Sequence, residues 1–456
     1  MTSREVRDPV HGLVALQQHE WAVIDSPAFQ RLRRVQQLAM THLVYSGARH
    51  SRFEHCIGTC HLGGQLARSI NETTGGRLID ERNVRAAALC HDLGHGPFSH
   101  VSEFVFEELT ERSHIHEQVS AATVRHHAPT RDALGEETSE WVADLLAGTG
   151  HGAVRTVERD IVAGPADVDK LDYLMRDSHF CGVDYGRYDL PKVIESARHA
   201  ADSTGSLLAF HRDGTYAVER LLLARHHMHR QVYGHKTRVA TDLMLVRAML
   251  LGVEEQLLPR DVFSPPSEMD AGFVRDYQTW DDQRVVSALL DGPSGSRAAE
   301  VMRALVARRL FRRRAELTLD DVRPAAGRLA GEVMLPPKLH RDLTNEAEEQ
   351  IARALGVDPL WVALHWENQQ NPLGMTSPVA DDKRVYVVDD DGSLESLEEA
   401  SEMFGQPGAV GRQRIYVYIQ QIESSEPFAE AAAKEAALQA VVNMANMARK
   451  GQGGPT

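Results

Sequence analysis

The sequence predicts a mainly helical protein with a helical core in its N-terminal part and a smaller C-terminal α+β region. Three observations predict it. Apolar residues recur at helical spacing, as at Val84, Ala87, Ala88 and His91, which fall at i, i+3, i+4 and i+7. Start and stop signals flank the helical runs: Ser51-Arg52-Phe53-Glu54 has capping-box spacing, and Gly75-Gly76 closes the segment it opens. Beyond Pro336-Pro337 the pattern changes to short candidate strands alternating with helices.

At 456 residues the chain has room for more than one domain. We expect a helical domain over residues 1–335 with its motif core at 50–180, an α+β region over 336–425, and a terminal helix and flexible tail over 426–456. Hydrophobic content of 42% and charged content of 25% describe an ordinary globular protein. A formal charge of -15 sets the bulk surface against nucleic acid and anionic membrane, while leaving room for a small anion in a locally basic pocket. No apolar run is long enough to span a bilayer, and the N-terminus lacks a signal-peptide core. The four cysteines, Cys56, Cys60, Cys90 and Cys181, include no CxxC pair, so a reduced, cytoplasmic setting is expected. Cys56 and Cys60, four apart on a predicted helix, read as small core residues.

Residues 8–16 read as a short strand or hairpin. A helix follows, and Asp25-Ser26-Pro27 starts another, expected from Phe29 to about Leu38 and carrying Arg31, Arg33 and Arg34. The helix opened at Ser51 puts Arg52 and His55 on a shared face. The helix from Glu81 runs into His91-Asp92, where Gly94, Gly96 and Pro97 break it. An amphipathic helix after His100 leads to Ser113-His114-Ile115-His116-Glu117-Gln118, and residues 138–148 form a further helix. In Asp167–Asp177, the side chains of Asp169, Tyr173, Arg176 and Asp177 share one helical face. Residues 205–218 look like a hairpin around Asp213-Gly214. Glu219 to about Leu251 reads as one long helix carrying Arg225, His226, His229, Tyr233, His235 and Lys236. The pattern is helical again from Asp281 to Leu317, with Arg308, Arg309, Arg312, Arg313 and Arg314 clustered. Strands are expected at Trp361–Trp366, Arg384–Val388 and Arg414–Gln420, and an Ala-rich helix from Glu426 to Met447.

His91-Asp92 offers a divalent ion one imidazole nitrogen and one carboxylate oxygen, although His-Asp pairs also cap helices. His55, His91, Asp92 and Asp169 lie on three predicted helices and could complete one metal's protein shell. Two imidazoles move the preference from magnesium toward iron, zinc or manganese. Such an ion polarises a phosphoryl oxygen, and Arg52, Lys170 and Arg225 are cations that could offset phosphate charge. His95 and His100 add groups that titrate near neutral pH, and His116-Glu117 looks like an acid/base dyad. Of 23 histidines, only His340 and His365 lie beyond residue 240, so imidazole chemistry belongs to the N-terminal half.

Taken together, Arg52-Phe53-Glu54-His55, the run His91–His100, His116-Glu117-Gln118 and Asp167–Tyr173 resemble the motifs of HD-domain phosphohydrolases, in family order. The wording is most similar to the deoxynucleoside triphosphate triphosphohydrolase branch, whose vertebrate member carries a SAM domain ahead of its HD domain. Few residues precede Asp8, so no SAM domain is expected here. The resemblance is strong from Asp8 to about Lys236 and faint beyond Pro336.

The resemblance implies an HD-domain helical core and one divalent ion (Mn, Fe, Zn or Mg) on His55, His91, Asp92 and Asp169. It implies His116 as the catalytic histidine with Glu117 beside it, and His95 and His100 lining the phosphate site. Arg52, Lys170 and Tyr173 match phosphate contacts, Gln37 and Asp177 match sugar-reading positions, and Arg225 and Tyr233 match groups around the triphosphate and base. Asp25 and Arg33 match readers of a guanine effector (GTP or dGTP), and Arg4 stands where a basic phosphate contact is expected. The implied reaction is hydrolysis of a dNTP at its α-phosphorus, in a homo-oligomer (dimer or tetramer). Two other readings remain open: an HD phosphohydrolase acting on another nucleotide or nucleic-acid phosphoester, and a non-catalytic nucleotide sensor.

Overall fold

Arg4–Asp8 (β1) and Gly12–Leu16 (β2) open the chain as an antiparallel hairpin, turned by Asp8, whose Oδ1 accepts from the Val10 and His11 amides. The structure, a computed structural model, describes residues 4–202, 205–327, 330–334, 341–368, 384–403, 413–420 and 430–451. The fold is mainly helical, as expected, and the chain divides into two compact units. The first takes the chain to Tyr233 and adds Pro259–Val285 and the strands Tyr386–Val388 and Leu394–Ser396. The second is built from Gly234–Leu258, from Val286 onward, and from the C-terminal strand and helix, so it draws on both sides of Pro336.

In the first unit, α1 (Gln18–Ile24) is followed by α2 (Pro27–Arg31), capped by Ser26 with proline at its start. The helix expected to reach Leu38 stops early. A 3₁₀ turn at Leu32–Arg34 gives way to extended Val35, and Gln36 bridges to Ser51. The predicted capping box does open α3 (Arg52–Thr74), and Gly75, at φ 68°, closes it in the left-handed conformation that glycine favours. Next, α4 (Glu81–Cys90) packs on α3 around buried Cys56, Cys60, Leu62, Val84 and Ala88. The chain continues through α5 (His100–Thr110), α6 (Ile115–His126), α7 (Ala128–Leu134), α8 (Glu136–Ala147), α9 (Val157–Ala163), α10 (Val168–Cys181) and α11 (Leu190–Ser196).

Three expectations between residues 205 and 317 need correction. The hairpin lies earlier, between β3 (Ala197–Asp202) and β4 (Gly205–His211), and Asp213-Gly214 belongs to a 3₁₀ turn leading into α12 (Thr215–Met228). The single long helix is two: a π-helical turn at His229–Tyr233 ends α12, and α13 (Lys236–Glu254) restarts after Gly234. After α14 (Arg260–Phe263), α15 (Ala271–Tyr277), α16 (Asp282–Leu290) and α17 (Arg297–Val306), Arg312–Thr318 is a strand, β5. Its alternation buries Ala315 and Leu317 on one face, which the arginine run obscures in the sequence.

The remaining elements are α18 (Leu319–Ala326), α19 (Ala330–Val333), α20 (Arg341–Leu355), β6 (Val362–Asn368), β7 (Tyr386–Val388), β8 (Leu394–Ser396), α21 (Leu397–Ala400), β9 (Gln413–Ile419) and α22 (Glu430–Gly451). In the second unit β5, β9 and β6 form an antiparallel sheet whose core face, with Leu317, Leu364, Ile415 and Val417, packs against α20 and α22. In the first unit β7 pairs parallel with β4, giving the order β3-β4-β7-β8. Among the described residues no helix is long and apolar enough to cross a membrane.

Candidate active site

The site lies in the first unit, where α3, the end of α4, the start of α6 and the start of α10 meet. His55 on α3, His91 and Asp92 just past α4, and Asp169 in the first turn of α10 converge. His55 Nε2 lies 3.0 Å from Asp169 Oδ1 and 3.5 Å from Asp92 Oδ2, and His91 Nε2 lies 3.3 Å from Asp92 Oδ1 and 3.8 Å from Asp169 Oδ1. Ligand atoms of His55, His91 and Asp169 all fall within 4.8 Å of one another. The back of each imidazole is tethered: His55 Nδ1–H donates to Asp172 Oδ2 at 2.7 Å and His91 Nδ1–H to the Ala88 carbonyl at 2.7 Å. These bonds put the Nε2 lone pairs toward the carboxylates, the orientation that metal-ligating histidines need. Both Nε2 atoms are buried with no aligned hydrogen-bond partner, the 3.0 Å approach to Asp169 notwithstanding. Two neutral imidazoles and two carboxylates aimed at one point fit a divalent ion of the iron, zinc or manganese kind.

The electrostatics agree. Burial works against charge on His55, yet Asp169, Asp172 and Asp92 together push it up to about 10, so the carboxylates call for a cation among them. Burial also opposes charge on Asp169, but His55 and His91 hold its carboxyl well below the usual range. Cys56 Sγ comes within reach of His91 and Asp92, but burial pushes its thiol well up, in keeping with a core S–H.

Asp172, one turn beyond Asp169, anchors this cage. It is fully buried and accepts from His55, from His11 Nε2 at 2.6 Å, and from Arg176 Nε at 2.7 Å and Nη2 at 2.9 Å. Arg176 in turn reaches Asp8 Oδ2 at 2.8 Å. A Cβ at Gly58 would fall on the Asp172 carboxylate, so glycine is what allows α3 and α10 to close here.

Beside the cage lies a second group of histidines. The rings of His95 and His116 stack at 4.2 Å and 16°, and His100, at the exposed rim, stands edge-on to His95 at 5.0 Å. Gly94 makes this possible: its amide bonds Ser120 Oγ at 2.8 Å, and a Cβ there would strike the His116 carbonyl and the Ser120 amide of α6. Burial, then Arg52 and His116, hold His95 well below the ordinary imidazole range. Burial would do the same to His116, but Glu103, with Oε2 3.0 Å from its Nδ1, and then Glu117 and Asp92 raise it. The Glu103 contact is a close ion pair rather than a well-aligned hydrogen bond. One ring is thus biased neutral and its neighbour charged, the separation expected where one group must donate a proton. Glu117, expected beside His116, is not its close partner: its half-exposed carboxylate meets His114 Nδ1 at 3.5 Å.

The expected substrate residues divide. Arg52 is buried, with Nη1 2.5 Å from Asp92 Oδ2, Nε 3.0 Å from Ser99 Oγ, and Nη2 without a partner. Lys170 is half-buried and held by Asp167 Oδ2 at 2.5 Å and the Gly164 carbonyl at 3.0 Å. Asp177 accepts from Tyr233 Oη at 2.6 Å and contacts His50 Nε2 at 2.7 Å, and the His50 carbonyl accepts from the Gln37 amide at 3.0 Å. The Gln37 Oε1 is buried without a partner. Tyr173 faces Tyr233 with ring centroids 6.3 Å apart; burial pushes its phenol up and nearby Arg225, half-buried on α12, draws it down. The expected effector residues stand outside these clusters. Arg4 lies over the Trp21 ring, Asp25 ends α1 at the surface, and exposed Arg33 bonds Gln30 Oε1 at 2.9 Å and covers the Phe53 ring at 3.4 Å.

Sequence reasoning missed Glu103, His50, Asp172 as an anchor and Asp282, which accepts the Phe98 and Gln36 amides. Glu103 carried a usable signal, since it stands three residues past His100 on α5 and so on the same helical side.

Residues 52–176, the span from Arg52 to Arg176 that contains the whole cage, match the HD domain family, and residues 189–438 match the HD associated region. The chain belongs to the HD-domain phosphohydrolase superfamily. This HD-domain protein is 34% identical over 254 residues to an uncharacterized protein of Methanocaldococcus jannaschii, covering 56% of this chain and 51% of that one. It is 32% identical over 280 residues to the deoxynucleoside triphosphate triphosphohydrolase SAMHD1 of Homo sapiens, covering 55% and 44%. It spans about half the length of the curated relatives it matches. A phosphohydrolase crystal structure from Bacteroides thetaiotaomicron superposes with a TM-score of 0.69, covering 92% of this chain and 100% of that one at 23% identity, a likeness of fold.

Proposed function

We propose that this HD-domain protein is a metal-dependent hydrolase of deoxynucleoside triphosphates that cleaves at the α-phosphorus, giving deoxynucleoside and tripolyphosphate. The observation that carries the reading is the four-residue cage beside a histidine pair of opposite charge bias. The names of the similar relatives supply the substrate class. A divalent ion held by His55, His91, Asp92 and Asp169 supplies Lewis acidity toward a phosphoryl oxygen. Arg52, with one buried guanidinium nitrogen unpartnered, offers charge-assisted hydrogen bonds to phosphate. Lys170, Arg225 and Tyr173 extend that binding surface, and Asp177, Tyr233 and Gln37 are the groups assigned to sugar and base. His116 is the group that would give a proton to the leaving deoxyribose oxygen; burial works against its charged form, and Glu103, with Glu117 adding to the same field, favours it. His95 stays neutral against it, and His100 lines the rim of the phosphate site.

A guanine nucleotide acting through Arg4, Asp25 and Arg33, and assembly into a homo-oligomer, extend the proposal. Incubating the purified protein with each dNTP, with and without GTP or dGTP, tests it. Tripolyphosphate as product is the expected result. Orthophosphate or a mononucleotide would instead favour an HD phosphohydrolase of another phosphoester, and no turnover of any nucleotide would favour a sensor.

A further inference from the structure

The segment that leads into α16 grips the motif turn at three points. Tyr277 Oη donates to the Gly94 carbonyl at 2.7 Å. Arg31, whose Nε is fixed by the Trp280 carbonyl at 2.7 Å, donates Nη2 to the His95 carbonyl at 2.8 Å. Asp282, the first residue of α16, is buried and accepts the Phe98 amide on Oδ1 at 2.6 Å and the Gln36 amide on Oδ2 at 2.9 Å. Phe98 and Ser99 are successive non-glycine residues at φ 62° and 57°, a conformation that persists only where the surroundings over-determine it. Ser99 Oγ donates to the Gln36 carbonyl at 2.5 Å and accepts from Arg52 Nε at 3.0 Å, while the Arg52 amide donates to the Val35 carbonyl at 3.0 Å. The path Asp282–Phe98–Ser99 is therefore closed by Gln36, whose amide and carbonyl bind its two ends, and Arg52 joins it at Ser99.

We propose that Asp282 is a positioning residue: its carboxylate holds the strained Phe98-Ser99 turn and, through Ser99, aims the Arg52 guanidinium. This rests on the reading of Arg52 as a phosphate-binding group. A carboxylate suits the task because both of its oxygens accept, so one group satisfies two amides from two segments at once. An amide side chain keeps one acceptor and turns N–H groups on the second amide. The site spends electrostatic cost on this: burial pushes Asp282 up to about 7, against the two amide bonds and Arg31, with Asp281 pushing the same way as burial. Asp282 reaches the cage only indirectly, through Ser99 and Arg52 to Asp92, and His55 and His91 keep their own tethers to Asp172 and the Ala88 carbonyl, so the ion is expected to stay when Asp282 is lost.

The test uses the full metal-loaded chain carrying Asp282→Asn, with Asp282→Glu as a second variant that keeps the charge should the first fold poorly. Three quantities are read: metal content, hydrogen exchange at the Phe98 amide against core amides of α3 and α4, and affinity for inorganic tripolyphosphate. Expected are unchanged metal content, faster exchange at Phe98 with the core protected, and about a tenfold loss of tripolyphosphate affinity. Combined with Arg52→Lys, the loss should be less than the sum of the single losses, because both act on one guanidinium. For turnover, KM should rise more than kcat falls. Unchanged Phe98 exchange, or additive losses with Arg52→Lys, would overturn the assignment of Asp282. Failure of the wild type to bind tripolyphosphate, with Phe98 exchange still faster in the variant, would overturn the role of Arg52 alone.

Discussion

On one side of Asp92, His55 and His91 each give Nδ1–H to a fixed acceptor and turn Nε2 inward. On the other side, His95 and His116 stack face to face; His95 Nδ1 is buried without a partner, His116 Nδ1 meets Glu103 Oε2, and the surroundings push the two imidazoles in opposite directions, His95 down and His116 up. The contrast separates two tasks. A metal ligand must present a lone pair in one direction, which hydrogen bonds to the back of the ring secure. A proton donor must hold a proton near working pH, which neighbouring charges secure. Asp92 belongs to both, since its Oδ1 also lies 3.2 Å from His95 Nε2.

The sharpest way to break this division is to remove a cage ligand. His91→Ala or Asp92→Ala should lose the ion and all measurable hydrolysis while keeping most of the helical content. Elemental analysis with circular dichroism checks this, and full metal occupancy in either variant would contradict the cage. Next in size comes the proton side. His116→Ala should keep metal and bind dNTP while turnover falls by about 10²–10⁴, the usual worth of general acid catalysis. Turnover at the wild-type rate would move the acid to His95 or His100.

A smaller change sharpens the electrostatic half. Glu103 raises His116 in the folded protein, so the imidazolium persists to higher pH than an ordinary histidine would allow. Glu103→Gln removes that support and lowers the His116 pKa. The alkaline limb of kcat, where the protonated acid is lost as pH rises, should then move to lower pH, and the rate at neutral pH should fall by roughly tenfold. An unmoved alkaline limb would show that Glu103 does not hold the proton in place.

The candidate ligands could be named in the sequence because they sit in runs with local signals (the capping box at Ser51, the stop at Gly94–Pro97, the cap at Asp167) and those runs resemble the HD motifs; that their helices converge was not readable from spacing. The partner of His116 could not be named, because adjacency in sequence misleads on a helix. Glu117 follows His116 directly and so points about 100° away around the axis, whereas Glu103 arrives from another helix. The fold shows the same split. Asp213-Gly214 carries a turn signal that serves a 3₁₀ cap, and five arginines hid the two-residue period of Arg312–Thr318 behind a polar run that reads as a helix face. Local signals located the motifs; the pairings made at distance, such as Asp282 with Phe98 or β7 with β4, left no local trace.

The smallest expected effect lies where neither device is present. Asp25 is exposed at the end of α1, and Arg33 is exposed over Phe53, so neither side chain is locked as His55 or His116 is. If they read a guanine, Asp25 supplies the acceptor for its N1–H and exocyclic amine, and the nucleotide itself must bring the order that the cage has built in. A contact at such an exposed position lies at the low end of what charged hydrogen bonds contribute, about 1.5 kcal/mol, or roughly tenfold in affinity. Asp25→Ala should therefore raise the GTP concentration needed for half-maximal activation by about that factor. Titrating GTP against hydrolysis of a second dNTP measures it. A wild type fully active without any guanine nucleotide would remove the effector site, and an unchanged half-point in Asp25→Ala would move the guanine reader elsewhere.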